Sequence, residues 1–409
     1  MLEFFQFFSP TRIVGGKPGF LSELAPELEV FRGRRAGVVM DSVIAKLNLL
    51  EALTPSLTET EIEIVAIYTE VPQDSDVAVV ERVAEQFQAA NVDLLFAIGG
   101  GSVIDTAKAA NILLTHGGQL ADYQGAQVLT NPLLPLVAVP TTVGTGSEVT
   151  MVAVVVDRLD HRKLTFVDRT LAPSLAVLDP AVTFTLPNRL VATTAMDALT
   201  HALEAFIDLE HSPLSDAFAV AAADMIRTNL LPALAATGYE ESRANLQMAS
   251  TMAGIAFNHS MVGIVHALAH ALGGVAGVPH GLANALMLTE GLTCNLEVAA
   301  DRIAEVGLRS GFVAVGDAST TVAAKGAGED VLRARAMIAT VGRLWNQAAE
   351  IANLPRTLHA AGVTAAQLDL LVERASEDGS LVYNPKFVEL EEIREMYHNV
   401  MGVSEDGAV

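Results

Sequence analysis

Cysteine is nearly absent from this sequence. Cys294 is the single cysteine among 409 residues, so an internal disulfide and a metal site built from several cysteines are both excluded. So few thiols are compatible with a reducing cytoplasm, which is where we expect the protein to be found.

Basic residues are scarce as well. The chain has 25 Lys and Arg against 48 Asp and Glu, which gives a formal net charge of −23. This acidity argues against nucleic acid and against anionic membranes as partners. Its simplest consequence is solubility.

Long hydrophobic runs are also missing, although hydrophobic residues make up 51% of the chain and charged residues only 18%. No apolar stretch approaches the ~20 residues of a membrane-spanning helix. Residues 1–10 lack the basic start and the small-residue cleavage site of a secretory signal. The hydrophobic content predicts a large buried core. At roughly 100–200 residues per domain, the length of the chain predicts two or three domains.

The first half of the chain alternates β-rich runs with helical patterns. The expected strands are residues 36–40, 63–67, 94–98, 136–139 and 152–156. Helical patterns such as 77–90 and 103–114 lie between them. Strands that alternate with helices indicate a parallel sheet covered on both faces.

The pattern changes near Pro187. From Asn188 onward the chain is rich in Ala and Leu, with helical periodicity and few β-branched runs. The clearest helices are 190–208, 214–231, 243–257, 281–293 and 332–351. We therefore predict an α/β domain over residues 1–186 and an all-helical domain over 187–409. The Gly/Ala/Thr-rich segment 311–328 is expected to be a loop insertion.

Two loops directly after predicted strands have the composition of phosphate sites. Gly99-Gly100-Gly101-Ser102 precedes a helix that begins near Val103, and Pro140-Thr141-Thr142 opens a run of hydroxyls and glycines that ends at Glu148. Glycine permits close backbone approach, and the N–H groups of a helix start attract anions. The spacing is not that of the usual dinucleotide fingerprint, so tight turns explain either loop equally well.

Asp41 ends the first of the predicted strands. A carboxylate at the tip of an early strand can accept hydrogen bonds from a ribose and would repel a 2′-phosphate. A helix N-cap before Val43 is at least as common an explanation. The residue alone leaves both open.

A carboxylate and several histidines of the second half have the spacing of a metal site. Asp197 and His201 stand at i and i+4 of a predicted helix and so share one face; His266 and His270 repeat that spacing, and His280 follows. A carboxylate with neutral imidazoles suits a divalent transition metal. Each residue alone is more simply a surface or hydrogen-bonded core residue, and composition does not say which three histidines bind. The other histidines outside this group are expected to be surface or structural: His116, His161, His211, His359 and His398.

With these motifs in view, the sequence resembles the iron-containing (group III) alcohol dehydrogenases over nearly its whole length, from Gly15-Gly16 to Asn384-Pro385. The motifs that carry the resemblance are Gly99-Gly100-Gly101-Ser102 with Asp105 and Lys108, Pro140-Thr141-Thr142 through Glu148, Met196 through Glu204, His266 through His270, and Pro279-His280-Gly281. The resemblance implies a dinucleotide-binding α/β domain followed by a helical domain, as in the dehydroquinate synthase-like fold, with the site in the cleft between them.

The resemblance also assigns roles. The metal ligands fall on Asp197, His201, His266 and His280, and His270 matches a histidine beside the substrate that is not a ligand. The expected cofactor contacts are Asp41, Gln73, Gly99, Gly100, Gly101, Ser102, Asp105, Thr141, Thr142, Thr145, Val154 and Lys163. Gln73 stands where many members have Asn between two prolines. The side chains of Phe257, Val152 and Val262 suggest a mostly apolar substrate pocket. His259 replaces a small residue common in the family and is expected to enter or border that pocket.

The implied activity is a metal-dependent NAD(H)-linked alcohol dehydrogenase or aldehyde reductase that acts on a small primary alcohol. Fe²⁺ is the expected metal, although Zn²⁺ accepts the same ligands. The metal would polarise the alcohol oxygen and His270 would relay the proton, while Asp41 favours NAD(H) over NADP(H). A homodimer or higher homo-oligomer is expected. The alternatives are a maleylacetate reductase, a hydroxyacid–oxoacid transhydrogenase or, in another class, a non-catalytic assembly protein that has kept the fold.

Overall fold

The computed structural model describes residues 5–158, 162–314 and 328–402. The chain forms two compact units: Ser9–Thr185, and the residues from Leu186 onward together with those before Ser9. Most of the predicted insertion 311–328 lies outside the described residues, and so does His161.

The first unit contains strands β1 to β9 and helices α1 to α4. The strands are Arg12–Gly15, Arg35–Met40, Glu63–Tyr68, Leu94–Gly99, Gly125–Ala126, Leu136–Pro140, Val152–Asp157, Arg162–Val167 and Leu175–Leu178. The helices are Ala25–Leu28, Leu49–Glu59, Val77–Ala89 and Gly101–His116. Six of the strands form a parallel sheet in the order β1-β9-β6-β4-β2-β3.

The parallel sheet is covered on both faces. Successive residues of a strand face opposite sides of the sheet. In β4, Phe96 and Ile98 accordingly join one hydrophobic core, whereas Leu95 and Ala97 join the other. Because both faces of the sheet are buried there, the inner strands β4, β6 and β9 are continuous apolar runs. The predicted class of this half, a parallel sheet between helices, is confirmed.

Strand β7 corrects the prediction that residues 152–156 belong to that sheet. The segment is a strand, but it pairs antiparallel with β8 in a separate sheet of order β5-β8-β7. Its partner β8 alternates, with Leu164 and Phe166 buried and Thr165 exposed. Alternation of this kind is typical of antiparallel strands. Because β8 is not a continuous apolar run, it was not predicted as a strand. Strand β7 was therefore assigned to the parallel sheet instead of being paired with β8.

The second unit is helical, as predicted. Its helices α5 to α13 are Asn188–Ile207, Pro213–Ala233, Glu240–Ser260, Ile264–Ala276, His280–Cys294, Leu296–Arg309, Glu329–Ala352, Leu368–Ser376 and Leu390–Met401. In α5 every residue from Ala195 to Ile207 is buried. A helix buried on all sides is normally apolar throughout. The Asp, His and Glu side chains within this stretch therefore need partners inside the protein.

Helices α7 and α8 are separated by a sharp bend of 105°. Met261 at this bend has φ +69°, a conformation that costs a non-glycine residue free energy. In the part of the chain that the structure describes, no single helix meets the length and hydropathy of a membrane span; α7 and α8 meet them only when counted together.

Candidate metal centre and cofactor loops

Four predicted ligands converge in the helical unit. Asp197 and His201 lie one turn apart on α5, His266 lies near the start of α8, and His280 is the first residue of α9. One donor atom from each of the four lies within 4.8 Å of the others. Three of these residues are buried, and the side chain of His280 keeps 29% of its exposure.

Glu204 fixes the orientation of His266. Its Oε2 accepts a hydrogen bond from His266 Nδ1 at 2.5 Å, and its Oε1 accepts one from the backbone N–H of Val265 at 2.6 Å. When Glu204 accepts this bond, the imidazole proton sits on Nδ1, and the lone pair of Nε2 is left for a metal. A carboxylate behind a ligand histidine is a common way to set the ring tautomer in metal sites.

Asn284 connects three of the four converging residues. It lies one turn after His280 on α9, and its Nδ2 donates to Asp197 Oδ1 at 2.6 Å. The same nitrogen lies 3.2 Å from Nε2 of His266 and 3.2 Å from Nε2 of His280. Asn284 therefore bonds Asp197 to α9 and lies against both imidazoles.

The converging residues fit a divalent metal. One carboxylate and three imidazoles form a mixed oxygen and nitrogen set of the kind that binds Fe²⁺ or Zn²⁺. Asp197 and His266 are each 2% exposed, and groups so deeply buried require strong partners. The short spacing between the donor atoms allows a single ion to contact all of them.

Aromatic rings border this cluster. The ring of His201 stacks on Phe257 at 4.3 Å and on His266 at 4.6 Å. His270 stacks on His280 with ring centroids 5.4 Å apart and meets His266 edge-on at 5.9 Å. His270 thus lies beside the four converging residues, and its Nδ1 is bonded to Asp378 Oδ2 at 2.8 Å.

The other predicted pocket residues are more scattered. His259 donates from Nδ1 to the carbonyl of Ile255, its Nε2 lies 3.0 Å from both the backbone N and O of Phe8, and its ring stacks on Phe7 at 4.0 Å. Both of its ring nitrogens are therefore used in contacts within the helical unit. Val262 is half-buried at the α7–α8 bend, and Val152 belongs to the first unit.

The two glycine-containing loops of the first unit lie directly against each other. A Cβ placed on Gly100 would come within 3.0 Å of Thr142, and one placed on Gly101 within 2.7 Å of Thr145. Gly100 also caps α4, whose 16 residues begin at Gly101. The N–H groups of such a helix start suit an anion. The glycines allow the loop of residues 140–148, called the threonine loop below, to lie close to this helix start.

Asp105 and Lys108 anchor the threonine loop to α4. Asp105 accepts hydrogen bonds from Ser147 Oγ at 2.6 Å and from the backbone N–H of Val154 at 3.1 Å. Lys108 is fully buried and donates to the carbonyls of Thr150 and Val152, each at 2.8 Å. Burial lowers the pKa of Lys108 to about 8 against the opposing effect of Asp105. One oxygen of Asp105 thus bonds to this loop and the other to strand β7, which follows it.

The remaining predicted cofactor residues have defined places. Asp41 Oδ1 accepts the backbone N–H groups of Val43 and Ile44, both at 2.8 Å, and so holds the turn before the 3-10 helix Ile44–Leu47. Gln73 precedes Asp74, whose N–H donates to Ser102 Oγ at 3.1 Å, so its segment borders the glycine turn. Lys163 lies on β8 and pairs with Val156 of β7.

Sequence reasoning missed three polar residues of the helical unit. Glu204 lies inside the quoted motif, and Asn284 stands at i+4 from His280, so helical spacing offered a signal for both. Asp378 lies 108 residues from His270, and no local pattern points from one to the other. Only the tertiary structure brings that pair together.

Comparison with known proteins gives a consistent picture. The family model described as iron-containing alcohol dehydrogenase matches residues 10–180, and the model described as the C-terminal region of the Fe-containing alcohol dehydrogenase family matches residues 191–401. An NAD-dependent methanol dehydrogenase of Bacillus methanolicus is 32% identical over 97% of this chain and 99% of its own length.

Solved structures are similar over almost the whole chain. The crystal structure of a 1,3-propanediol oxidoreductase covers 98% of this chain and 100% of its own, with a TM-score of 0.88 and 32% identity. A sulfoacetaldehyde reductase from Bifidobacterium kashiwanohense, solved in complex with NAD⁺, has a TM-score of 0.84 and 27% identity, with coverage of 98% of this chain and 100% of that chain.

Proposed function

The chain belongs to the iron-containing alcohol dehydrogenase family, and on that premise we propose that it oxidises small primary alcohols with NAD⁺ and reduces the corresponding aldehydes with NADH. Its reaction class is that of an NAD-linked alcohol dehydrogenase. In this reaction an alcohol and NAD⁺ give an aldehyde, NADH and a proton. The observation that carries the proposal is the convergence of one carboxylate and three imidazoles on one point.

We assign one Fe²⁺ ion to Asp197, His201, His266 and His280, with Zn²⁺ accepted by the same donors. When bound, such an ion supplies Lewis acidity to an alcohol or carbonyl oxygen. Glu204 bonds to Nδ1 of His266. In our proposal this bond leaves the Nε2 lone pair of His266 directed at the metal.

We assign NAD(H) binding to the first unit. The start of α4 supplies N–H groups for the pyrophosphate, and Thr142 and Thr145 line the turn at Gly100 and Gly101. Asp105 and Lys108 support this site indirectly, because they fasten the threonine loop rather than face a ligand.

A methyl group at Gly101 is expected to distort the turn that is proposed to bind the pyrophosphate. Gly101→Ala puts a Cβ 2.7 Å from Thr145 Cγ2, and overpacking of this size costs about 1–3 kcal/mol. We expect the Kd of NADH, measured by fluorescence titration, to rise about tenfold or more. The matched control is Gly274→Ala in α8, where the added Cβ would have no atom within 4 Å apart from the nearby backbone and chain neighbours of its own helix. Equal NADH affinity in the two variants would contradict the assignment.

Asp41 is proposed to set the preference for NAD(H) by repelling a 2′-phosphate. Asp41→Asn keeps an oxygen to cap Val43 and Ile44 but removes the charge. We expect kcat/KM with NADP⁺ to rise about tenfold, a change of about 1.4 kcal/mol. Asp41→Gly should improve NADP⁺ use as well, but at a cost of about 1 kcal/mol in stability from the lost cap. A wild type that prefers NADP⁺ would refute this proposal.

One assay panel tests the activity as a whole. Alcohols and aldehydes are offered with NAD(H) and NADP(H) after the metal-free protein has been reloaded with Fe²⁺ or with Zn²⁺. NADH-dependent reduction of small aldehydes supports the proposal, and its absence with every substrate refutes it. Reduction of maleylacetate alone would indicate a maleylacetate reductase, and hydride exchange between a hydroxyacid and an oxoacid without added nucleotide would indicate a transhydrogenase.

We further propose that the protein works in the cytoplasm as a homodimer or larger homo-oligomer, with alcohols and aldehydes rather than macromolecules as its partners. Light scattering on the purified holoprotein measures the oligomeric state directly. A monomeric mass at working concentrations would refute that part of the proposal.

A further inference from the structure

A half-buried carboxylate is hydrogen-bonded to the histidine that lies beside the metal cluster. Asp378 Oδ2 lies 2.8 Å from His270 Nδ1, and the two side chains keep only 19% and 24% of their exposure. Asp378 belongs to none of the motifs discussed above. It lies just before the short 3-10 helix Gly379–Val382, far from His270 in sequence.

We propose that Asp378 is a positioning residue that acts through His270: it fixes the plane of the imidazole and keeps the ring proton on Nδ1, so that Nε2 is the atom that accepts a proton during alcohol oxidation. This inference rests on the proposed function, because it concerns the proton that alcohol oxidation releases.

The carboxylate is itself held in place at both oxygens. While Oδ2 faces His270, Oδ1 accepts the backbone N–H of Ser380 at 2.9 Å. Rotation of the carboxylate would break one bond or the other. The direction of the imidazole bond is therefore set by the turn that begins the 3-10 helix.

The contacts of Asp378 suit an ionised carboxylate. Both of its oxygens face nitrogen atoms, Oδ1 the backbone N–H of Ser380 and Oδ2 the Nδ1 of His270. An ionised carboxylate has no proton to donate. The bond at 2.8 Å therefore requires the proton to be on Nδ1 of His270.

The tautomer matters because the two ring nitrogens have different tasks. With Nδ1 engaged by Asp378, the ring is fixed in its stacked position against His280. A neutral imidazole whose Nδ1 is protonated can take up a proton only at Nε2. Asp378 thereby decides which edge of His270 can act as a base, much as a buried carboxylate orients the general base of hydrolases.

A simpler role for Asp378 is to cap the helix Gly379–Val382, and the test separates the two roles. Asp378→Asn is made in the wild type and in His270→Ala. Asp168→Asn is the matched control, because Asp168 caps the 3-10 helix Arg169–Leu171 through an equivalent bond to Thr170 N–H at 2.9 Å. All variants are loaded with Zn²⁺, and metal content, kcat, KM and melting temperature are measured for each.

We expect Asp378→Asn to lower kcat about 100-fold, with bound zinc unchanged and KM for the alcohol within about twofold. In the His270→Ala background the same substitution should change kcat by less than about twofold, since its partner is gone. Asp168→Asn should leave kcat unchanged. Equal losses in both backgrounds, or loss of zinc from Asp378→Asn, would overturn the inference.

A second readout does not depend on activity. In zinc-loaded protein labelled with ¹⁵N-histidine, the signals missing from His270→Ala identify His270. They should report a proton on Nδ1 in the wild type and on Nε2 in Asp378→Asn, because the amide can turn its NH₂ toward Nδ1. An unchanged tautomer would overturn the inference. The expected change in a protein that oxidises no alcohol would leave Asp378 as the positioning residue and refute the proposed function instead.

Discussion

Replacing His280 with alanine is expected to remove the metal and at least about 1000-fold of kcat/KM while leaving the fold intact. A bound divalent ion contributes several kcal/mol of charge stabilisation, and each 1.36 kcal/mol corresponds to a factor of about ten. His280 is the partly exposed member of the converging set, at the first position of α9. Its truncation therefore costs little packing, and the helical core is preserved.

His266→Ala should abolish metal binding too, but it is also expected to destabilise the fold. Removal of that ring leaves Glu204 as a buried carboxylate that has lost its 2.5 Å partner. Breaking a buried pair on one side is strongly destabilising, typically by about 3–5 kcal/mol. We therefore expect a lower melting temperature in His266→Ala than in His280→Ala, with metal lost in both.

Metal content by mass spectrometry, melting temperature and kcat/KM are measured for each variant. His398→Ala is the control, because His398 is an exposed histidine in the last turn of α13. Normal metal content and activity are expected there. Full activity in His280→Ala protein that contains no metal would refute the metal assignment.

Local sequence patterns were sufficient for four of the six strands of the parallel sheet. Strands β2, β4 and β6 were predicted because a buried parallel strand is largely apolar, and the partly exposed edge strand β3 was predicted from its β-branched residues. The edge strand β1 was missed because its four residues are largely exposed, so no such run marks it. Strand β9 is only four residues long, too short for a run to stand out. Strand β7 lies in the second sheet because it pairs with β8. Strand pairing depends on tertiary contacts, and the run of valines in β7 does not predict them.

The metal cluster was more predictable than its surroundings for a similar reason. Helical spacing puts Asp197 beside His201 whatever the rest of the chain does. The approach of α8 and α9 to α5 is a tertiary fact, and the family resemblance, which the family models confirm, supplied it in advance. The contacts of His259 with Phe7 and Phe8 were not foreseeable, because they join residues 251 or more positions apart.

His270→Ala is expected to keep its metal but to lower kcat by about 100- to 10,000-fold, the usual contribution of a general acid or base. The ring lies 5.4 Å from that of His280, close enough to reach the substrate that the metal would hold, yet its Nδ1 is committed to Asp378. It is not among the four residues whose donor atoms converge. Its loss should therefore affect proton transfer and leave metal binding unchanged.

His270→Asn makes the comparison sharper. The amide nitrogen of asparagine can replace Nδ1 as the donor to Asp378, which keeps a partner for this half-buried carboxylate, but an amide cannot take up the proton. Both variants should lose turnover and the pH dependence that a histidine confers near neutrality, whereas only His270→Ala should lose stability. Loss of metal from either variant would make His270 a ligand. Unchanged turnover and pH profile in both would leave it a structural residue of the helical core.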